Sequence, residues 1–293
     1  MRKTNMENVI EIKNLNKIYD DFRLENITLN IPRGSVVGLI GENGAGKSTL
    51  IRSLLGVIKS SSDELKRFGL DLKTDEINIK KDIAVIFDQT HYDEEFTPKF
   101  IGKMLSKVYS NWDQKMFLEY LTQFQLPLKK KIKKFSRGMK MKLEFAIAFS
   151  HGAKLLVLDE ATSGLDPIAR DEILSIIRKY TEDENHSVLI SSHITSDLDK
   201  ISDYIVYIHN GKLMFMKPYE ELREDYGIIH AGKELLDSLD HDDVVGVKKE
   251  SYSYTILVKN RASIQNVFED LEIIRPTIEE MMLFYSKKGV ELC

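Results

Sequence analysis

Hydrophobic and polar residues alternate in two segments near the start of the chain, at residues 9–14 and 24–31. A period of two is typical of strands that bury one face, so both segments are predicted to be antiparallel strands. Continuous apolar runs follow at residues 35–40, 83–87, 155–158 and 188–191. Such runs are typical of parallel strands that are buried on both faces. The pattern predicts a small antiparallel layer followed by a largely parallel sheet.

Segments with helical spacing lie between these runs. Helices are predicted at residues 47–55, 97–124 with a break near Asn111, 138–150 and 167–180. Ser136 can cap the third of these helices, and Pro167 can begin the fourth. A hairpin is predicted over residues 204–216, with its turn at Asn210-Gly211. Alternating strands and helices indicate an α/β fold whose sheet is covered on both faces.

The pattern changes after Asp225. Further elements are predicted as strands at 244–247, 252–258 and 271–275 and as helices at 263–270 and 276–285. We therefore divide the chain into residues 1–224, with a helical subdomain over about 97–150, and a small α+β appendage over 225–293. The appendage lies outside the ligand-binding motifs described below, so we expect it to make no contact with a ligand bound at those motifs.

A glycine-rich loop follows the apolar run 35–40. Residues 41–49 read Gly-Glu-Asn-Gly-Ala-Gly-Lys-Ser-Thr, which fills the template of a phosphate-binding loop (P-loop) between a strand and a helix. The backbone N–H groups that would surround phosphate oxygens belong to Gly41, Asn43, Gly44, Ala45 and Gly46. Lys47 would reach the terminal phosphates, and Ser48 offers a hydroxyl to Mg²⁺. The sequence predicts a nucleoside triphosphate site.

Two carboxylates leave the end of the apolar run 155–158. Asp159 can organise Mg²⁺, and Glu160 can polarise a water molecule for in-line attack on the terminal phosphate. This pair favours phosphate hydrolysis over simple nucleotide binding.

Five further elements stand in a characteristic order. They are Gln89, the Ser136-Arg-Gly138-Met loop, the strand that ends in Asp159-Glu160, the Ser163-Gly-Leu-Asp166 loop and His193. In this order they resemble the Gln loop, signature loop, Walker B strand, D-loop and switch histidine of the ATP-binding cassette family, over about residues 7–220. The resemblance implies a P-loop NTPase fold with a RecA-like core, an antiparallel β-subdomain and a helical subdomain.

The resemblance also implies roles within one chain. Tyr19 would stack on the adenine ring, and Lys47, Ser48 and Thr49 would hold the phosphates of ATP and Mg²⁺. Gln89 would contact the metal and the attacking water. Glu160 would be the catalytic base, and His193 would contact the γ-phosphate.

Other roles would be carried out between two chains. The resemblance implies that Ser136 and Gly138 contact the γ-phosphate held by a second ABC subunit, in a homo- or heterodimer. Asp166 would reach across the dimer interface. The chain has one set of motifs, so two such domains are needed for a working unit.

The signature loop departs from the family's commonest form, Leu-Ser-Gly-Gly-Gln. Here Arg137 replaces a glycine and Met139 replaces an amide. The Ser-x-Gly-Met form resembles ABC-2-type exporter ATPases, the subgroup that contains bacitracin-type and peptide exporters, and residues 274–283 are similar to a segment that ends many of its members. This implies an ATPase subunit that powers transport of a peptide, antibiotic or lipid-like substrate through separate polytopic permease subunits.

Composition limits the classes of protein. The apolar runs are far shorter than the ~20 residues that span a bilayer, and no apolar signal segment follows Met1, so we expect a soluble chain. We expect it in the cytoplasm, peripheral on the inner face of the membrane through its permease. Cys293 is the single cysteine, which excludes an internal disulfide. The net charge is −4, from 42 basic and 46 acidic residues, so no nucleic-acid partner is expected.

Two alternatives stay open. One is a soluble ABC ATPase that acts in translation or nucleic-acid maintenance, although the chain has neither a second cassette nor a long coiled-coil insertion. The other is a non-hydrolytic binding module, which the presence of Glu160 and His193 disfavours. The loop after Gln89 is the expected permease dock, with candidates His91, Tyr92, Phe96 and Pro98. The lysine-rich segment 129–134 is expected to be solvated, with contact to anionic lipid or to a partner as the alternative.

Overall fold

A computed structural model describes residues 8–88 and 92–286. The strands of these residues are β1 Asn8–Ile18, β2 Arg23–Pro32, β3 Val36–Ile40, β4 Glu64–Arg67, β5 Leu70–Asp71, β6 Ile83–Phe87, β7 Leu155–Asp159, β8 Ser187–Ser191, β9 Tyr204–His209, β10 Lys212–Pro218, β11 Gly227–Ala231, β12 Val244–Lys249 and β13 Tyr254–Val258. The helices are α1 Lys47–Leu54, α2 Leu72–Lys80, α3 Pro98–Leu105, α4 Gln114–Gln123, α5 Arg137–Ser150, α6 Pro167–Tyr180, α7 Thr195–Ile201, α8 Tyr219–Glu224, α9 Lys233–Ser238, α10 Arg261–Val267 and α11 Ile278–Ser286.

The central sheet has six strands in the order β10-β9-β3-β8-β7-β6. All neighbours are parallel except β10, which pairs antiparallel with β9. Every residue of β3, β7 and β8 is buried, because these inner strands are covered on both faces. The expectation of burial on both faces is wrong for β6, which lies at the edge of the sheet and buries only Ala84 and Ile86. The predicted parallel sheet is confirmed, and its parallel strands bring their carboxyl ends to one edge.

The two faces of the central sheet pack against different layers. Leu156 and Leu158 of β7 face a cluster formed with the helices, whereas Leu155 and Val157 face a cluster formed with β1, β2 and α1. The alternation along one apolar strand explains why no polar positions interrupt it.

A second sheet covers one face of the core, with antiparallel strands in the order β2-β1-β4-β5. The alternating segments predicted β1 and β2, and both are observed as an antiparallel pair. The strands β4 and β5 were not predicted. β4 reads Glu-Leu-Lys-Arg, and only Arg67 in it is buried, so its sequence carries no period-two signal.

Three capped helices form the helical segment between β6 and β7. The side chains of Thr97, Asp113 and Ser136 accept hydrogen bonds from the first turns of α3, α4 and α5. The predicted break near Asn111 is confirmed, because α3 ends at Leu105 and α4 begins at Gln114.

The C-terminal part forms a third, antiparallel sheet in the order β11-β13-β12. The predicted pairing of two strands is confirmed, and β11 adds a third strand that was not predicted. The strand predicted at residues 271–275 is wrong. Only Ile274 pairs with β11, at Ile228, since Pro276 has no N–H to continue the ladder.

The last helix does not pack only on its own sheet. Ile278, Met281 and Phe284 of α11 are buried in the same hydrophobic cluster as the central sheet and α7. Within residues 8–88 and 92–286, no helix combines the length and apolar character needed to cross a membrane.

Candidate nucleotide site

The P-loop joins β3 to α1 at the carboxyl edge of the central sheet. Gly44 and Gly46 have φ values of +82° and +111°, which L-residues rarely adopt. Gly46 is the N-cap residue of α1, and no side chain caps that helix. The N–H groups and the positive dipole end of α1 therefore face the loop, as in an anion-binding site.

Lys47 is almost fully buried, with 6% of its surface exposed. Its Nζ donates to the carbonyl oxygens of Gly41 at 2.8 Å and Glu42 at 3.3 Å, and it lies 3.6 Å from Glu160 Oε1. A buried ammonium group needs such partners, because desolvation without them is costly. The side chain thus folds back across the loop, where phosphate oxygens would compete with Glu160 for its charge.

Asp159 is buried at the end of β7 and is held by two hydroxyl groups. Its Oδ1 accepts hydrogen bonds from Ser48 at 3.2 Å and from Ser191 at 2.7 Å. The adjacent carboxylate and hydroxyl oxygens are hard ligands of the kind that suit Mg²⁺. No group of three or more acidic, histidine or cysteine side chains surrounds this point within residues 8–88 and 92–286. A magnesium ion here would need phosphate and water oxygens to complete its shell, as is usual for nucleotide-bound Mg²⁺.

Glu160 lies between a cation and a histidine. Its Oε2 is 2.5 Å from His193 Nδ1, and its backbone N–H donates to Ser191 Oγ at 3.1 Å. The residue has a φ of +55°, a conformation that costs about 1–2 kcal/mol for a residue with a side chain. Strain of this kind is characteristic of functional positions, and here it directs the carboxylate away from β7 into the cleft. A carboxylate so placed can orient a water molecule and accept its proton.

These groups open into one cleft of about 690 Å³, a volume in the range of small-ligand sites. Its lining residues are Asp21, Phe22, Glu42, Asn43, Gly44, Gly46, Lys47, Ser48, Thr49, Asp88, Glu160, Ser163 and His193. The structure therefore brings the predicted P-loop residues, Glu160 and His193 together, with Asp159 directly behind Ser48. Gly41 and Ala45 form the back of the loop.

Sequence reasoning missed several lining residues. Phe22 forms part of the wall beside Gly46, and Asp21 precedes it. The sequence carries a signal for Phe22, because it is an aromatic residue three positions after Tyr19. Asp88 and Ser163 were visible as neighbours of recognised motifs without being assigned to the cleft.

Other predicted residues do not line this cleft in the described chain. Tyr19 is 42% exposed at the end of the β1–β2 hairpin, and Lys17 Nζ lies 4.7 Å from its ring centroid. Ser136 and Gly138 begin α5, where Ser136 Oγ accepts from Met139 N at 3.2 Å. Asp166 caps α6 by accepting from the N–H groups that follow it. Gln89 lies outside the described residues.

Arg137 links three motifs within the chain. Its guanidinium donates to the Asp88 carbonyl at 3.3 Å and packs against Gly164, where an added Cβ would lie 2.5 Å from Arg137 Nη1. Gly164 has a φ of +68°, so both its backbone and the arginine require glycine there. The unusual signature residue thus ties the D-loop to the end of β6.

The lysine-rich segment, expected to be solvated, makes ion pairs with the acidic loop before α3. Lys131 and Lys133 lie 2.6 Å and 2.5 Å from Glu95, and Lys140 lies 2.7 Å from Glu94. The backbone adds a bond from Ile132 N to Phe96 O at 2.9 Å. The side chains of Lys131, Lys133 and Glu95 are exposed, and the two lysines lower the pKa of Glu95 to about 2. The loop that follows β6 is thereby held against the approach to the signature helix.

Comparison with known proteins places the chain among transport ATPases. Residues 24–163 match the model of a family described as ABC transporter. The bacitracin transport ATP-binding protein BcrA of Bacillus licheniformis is 33% identical over 75% of this chain and 72% of its own length. The lantibiotic transport ATP-binding protein SrtF of Streptococcus pyogenes is 34% identical over 72% of this chain and 92% of its own length.

The chain belongs to the ABC transporter family. A solved ATP-binding subunit of an ABC transporter has a TM-score of 0.67 and 28% identity, and the match covers 73% of this chain and 92% of that one. The predicted fold class of an ABC nucleotide-binding domain is therefore confirmed. Binding and hydrolysis of ATP are the activities of this family, so this chain is an ATPase.

Proposed function

We propose that this ABC ATPase is the subunit that powers an ABC-2-type exporter for a peptide, antibiotic or lipid-like substrate. The observation that carries the proposal is the similarity over more than two-thirds of the chain to ATP-binding proteins of bacitracin and lantibiotic transport. The Ser136-Arg-Gly-Met signature supports the same subgroup. The alternative of a soluble ATPase in translation or nucleic-acid maintenance is not favoured by these relatives.

Within the proposed site, Lys47 and the P-loop N–H groups bind the phosphates of ATP. Ser48 and Asp159, joined at 3.2 Å, together with Gln89, would hold Mg²⁺, which would neutralise phosphate charge. Glu160 orients and deprotonates the attacking water, and His193 contacts the γ-phosphate. Tyr19 stacks on the base from the rim, where its exposed ring is available, with Phe22 as a second aromatic wall.

The proposed working unit contains two ABC domains. Ser136 and Gly138 are at the surface and do not line the cleft that contains Lys47 and Glu160. In the proposed dimer they close the partner's cleft, and Asp166 lies at the interface. Hydrolysis by an isolated monomer should then be slow.

Separate membrane-spanning permease subunits are the proposed second partner, which would place the chain peripherally at the inner face of the membrane. Docking is proposed at the loop that precedes α3. Tyr92 and Phe96 are partly exposed there, whereas Pro98 is buried and is no longer a candidate for contact. Phe100 replaces it, because its ring is 48% exposed and lies 4.5 Å from that of Phe96. His91 lies outside the described residues.

We propose residues 1–224 as the ATPase domain and 225–293 as an accessory domain, supported by the separate three-stranded sheet of the latter.

The test is reconstitution with a candidate six-span permease in lipid vesicles. ATP hydrolysis should rise when bacitracin or a lantibiotic is added, and a Glu160→Gln subunit should abolish the stimulated rate. Hydrolysis that is insensitive to the permease and to every peptide or lipid-like substrate tested would contradict the exporter assignment while leaving the ATPase intact.

A further inference from the structure

The hairpin formed by β9 and β10 lies directly behind the P-loop. Tyr207 of β9 is the register partner of Ile40, the residue that precedes the loop. A Cβ on Gly41 would lie 2.4 Å from the Ile208 carbonyl oxygen, and Gly211 N donates to Ala45 O at 3.0 Å. The first glycine and the middle of the P-loop therefore both rest on this hairpin.

The last helix contacts the same hairpin from the other side. Tyr207 is fully buried, and its hydroxyl donates to the Met282 carbonyl of α11 at 3.4 Å. The Tyr285 ring meets the ring of Tyr207 edge-on, with centroids 6.2 Å apart, and that of Phe215 of β10 at 5.1 Å. Aromatic contacts of this geometry add to the burial energy and fix the relative orientation of the elements.

Burial raises the pKa of Tyr207 to about 12, although a hydrogen bond with the Ser286 side chain of α11 acts in the opposite direction. Tyr207 stays neutral at physiological pH and keeps its proton to donate.

The same helix also packs beside α7, which begins at Thr195, two residues after His193. Leu198 and Ile201 of α7 share a buried cluster with Met281 and Phe284 of α11. The helix is anchored locally, because Thr277 and Glu280 exchange hydrogen bonds in a capping box at its start. One capped helix therefore supports both the strand behind the P-loop and the helix that follows the switch histidine.

We propose that α11 is a positioning element of the ATP site, and that its seating against Tyr207 and α7 sets the geometry of the P-loop and of His193. The proposal rests on the nucleotide site described above and extends it to a helix that makes no contact with the cleft. Coupling is reciprocal, so bound ATP should in turn stabilise α11.

The test compares two alanine substitutions in the C-terminal part of the chain. Tyr285→Ala removes the ring that contacts Tyr207 and Phe215. Ile264→Ala is the matched control, because Ile264 is buried in a separate cluster with Ile229 and Ile256. Both variants should melt at lower temperature, but only Tyr285→Ala should weaken binding of a fluorescent ATP analogue, by roughly 3- to 10-fold. Tyr285→Phe keeps the ring and should restore affinity.

Hydrogen exchange on the parent chain gives a second readout that needs no mutation. Amides of α11 should exchange more slowly with ATP bound, whereas those of α10 should not change. If the parent binds ATP but Tyr285→Ala binds it equally well and α11 exchange is unaffected, the positioning role is wrong. If Ile264→Ala loses as much affinity for ATP as Tyr285→Ala, the loss reflects general destabilisation of the C-terminal part, and the positioning role of α11 is wrong. A parent chain that fails to bind ATP would instead overturn the proposed nucleotide site.

Discussion

Gly44 and Gly46 of the P-loop both have positive φ but differ in what surrounds them, and this difference predicts different costs of substitution. A Cβ on Gly46 would lie 2.6 Å from Leu24 Cδ2 and 2.7 Å from Phe22 Cζ. A Cβ on Gly44 would meet no atom within 4 Å. Both positions carry backbone strain for any other residue, so Gly44→Ala is a matched control for Gly46→Ala.

The backbone term is about 1–2 kcal/mol for each substitution, since both residues have φ well above zero. Gly46→Ala adds overpacking against Leu24, which is fully buried, and this costs about 1–3 kcal/mol more. The difference between the two variants should therefore be about 1–3 kcal/mol in the free energy of unfolding, or about 2–4 °C of Tm per kcal/mol.

Thermal and urea denaturation in the absence of nucleotide would measure this difference. Gly46→Ala should also displace the Phe22 ring, which lines the cleft, and should weaken ATP binding by changing the shape of the cleft. Gly44→Ala should also lose affinity for ATP, but without displacing a neighbouring side chain. Its methyl group would project into the open space beside the bound phosphates. Equal stability of the two variants would refute the packing argument for Gly46.

Two other predictions concern surfaces away from the P-loop. Phe100→Ala should reduce the amount of permease recovered with this chain from solubilised membranes. Val108→Ala, at a position of the same helical segment that is 69% exposed, should not reduce it. If the two variants recover equal amounts of permease, the proposed docking site is wrong. Burial lowers the pKa of His151 to about 4, below its usual 6.5, so its contribution to stability is present above pH 6.5 and is lost as the pH falls toward 4. Between pH 8 and pH 5 this histidine should lower the free energy of unfolding by about 2 kcal/mol. His151→Phe should therefore lose less stability over that interval than the parent chain. If the variant and the parent lose the same stability between pH 8 and pH 5, the burial argument is wrong.

The sequence predicted the central fold well, because its signals are local and strong. The apolar run Ile83–Phe87 and the helix Pro167–Tyr180 have the predicted bounds, and Ser136 caps α5 as expected. Each depends on apolar periodicity or on a capping residue, which act within a few positions of the chain.

The elements that the sequence did not predict correctly depend on contacts between distant segments. β4 is short and polar, and Arg67 in it is buried because its guanidinium donates to the carbonyl oxygens of Leu54 and Ser53 at the end of α1. The strand predicted at residues 271–275 does not form. In that segment, which precedes Pro276, only Ile274 pairs with another strand, at Ile228. Propensity cannot reveal either outcome.

The candidate site was predicted residue by residue wherever a motif carried the chemistry. What could not be predicted was the set of supports. Phe22 lines the cleft through its packing on Gly46, Arg137 joins the D-loop to β6, and Glu94 and Glu95 pair with lysines some 40 positions away. These contacts require the fold before they can be seen, and they are specific to this chain.

The most direct test of the proposed ATPase mechanism is Glu160→Gln, which keeps the size and hydrogen bonding of the side chain between Lys47 and His193 but removes the carboxylate. Hydrolysis should fall by on the order of 10²-fold or more while ATP binding persists. With ATP and Mg²⁺, size-exclusion chromatography should show Glu160→Gln as a dimer closed over two nucleotides, whereas Lys47→Ala should remain a monomer. A Glu160→Gln chain that hydrolyses ATP at the parent rate would contradict the assigned base, and one that neither hydrolyses nor dimerises would contradict the two-chain site.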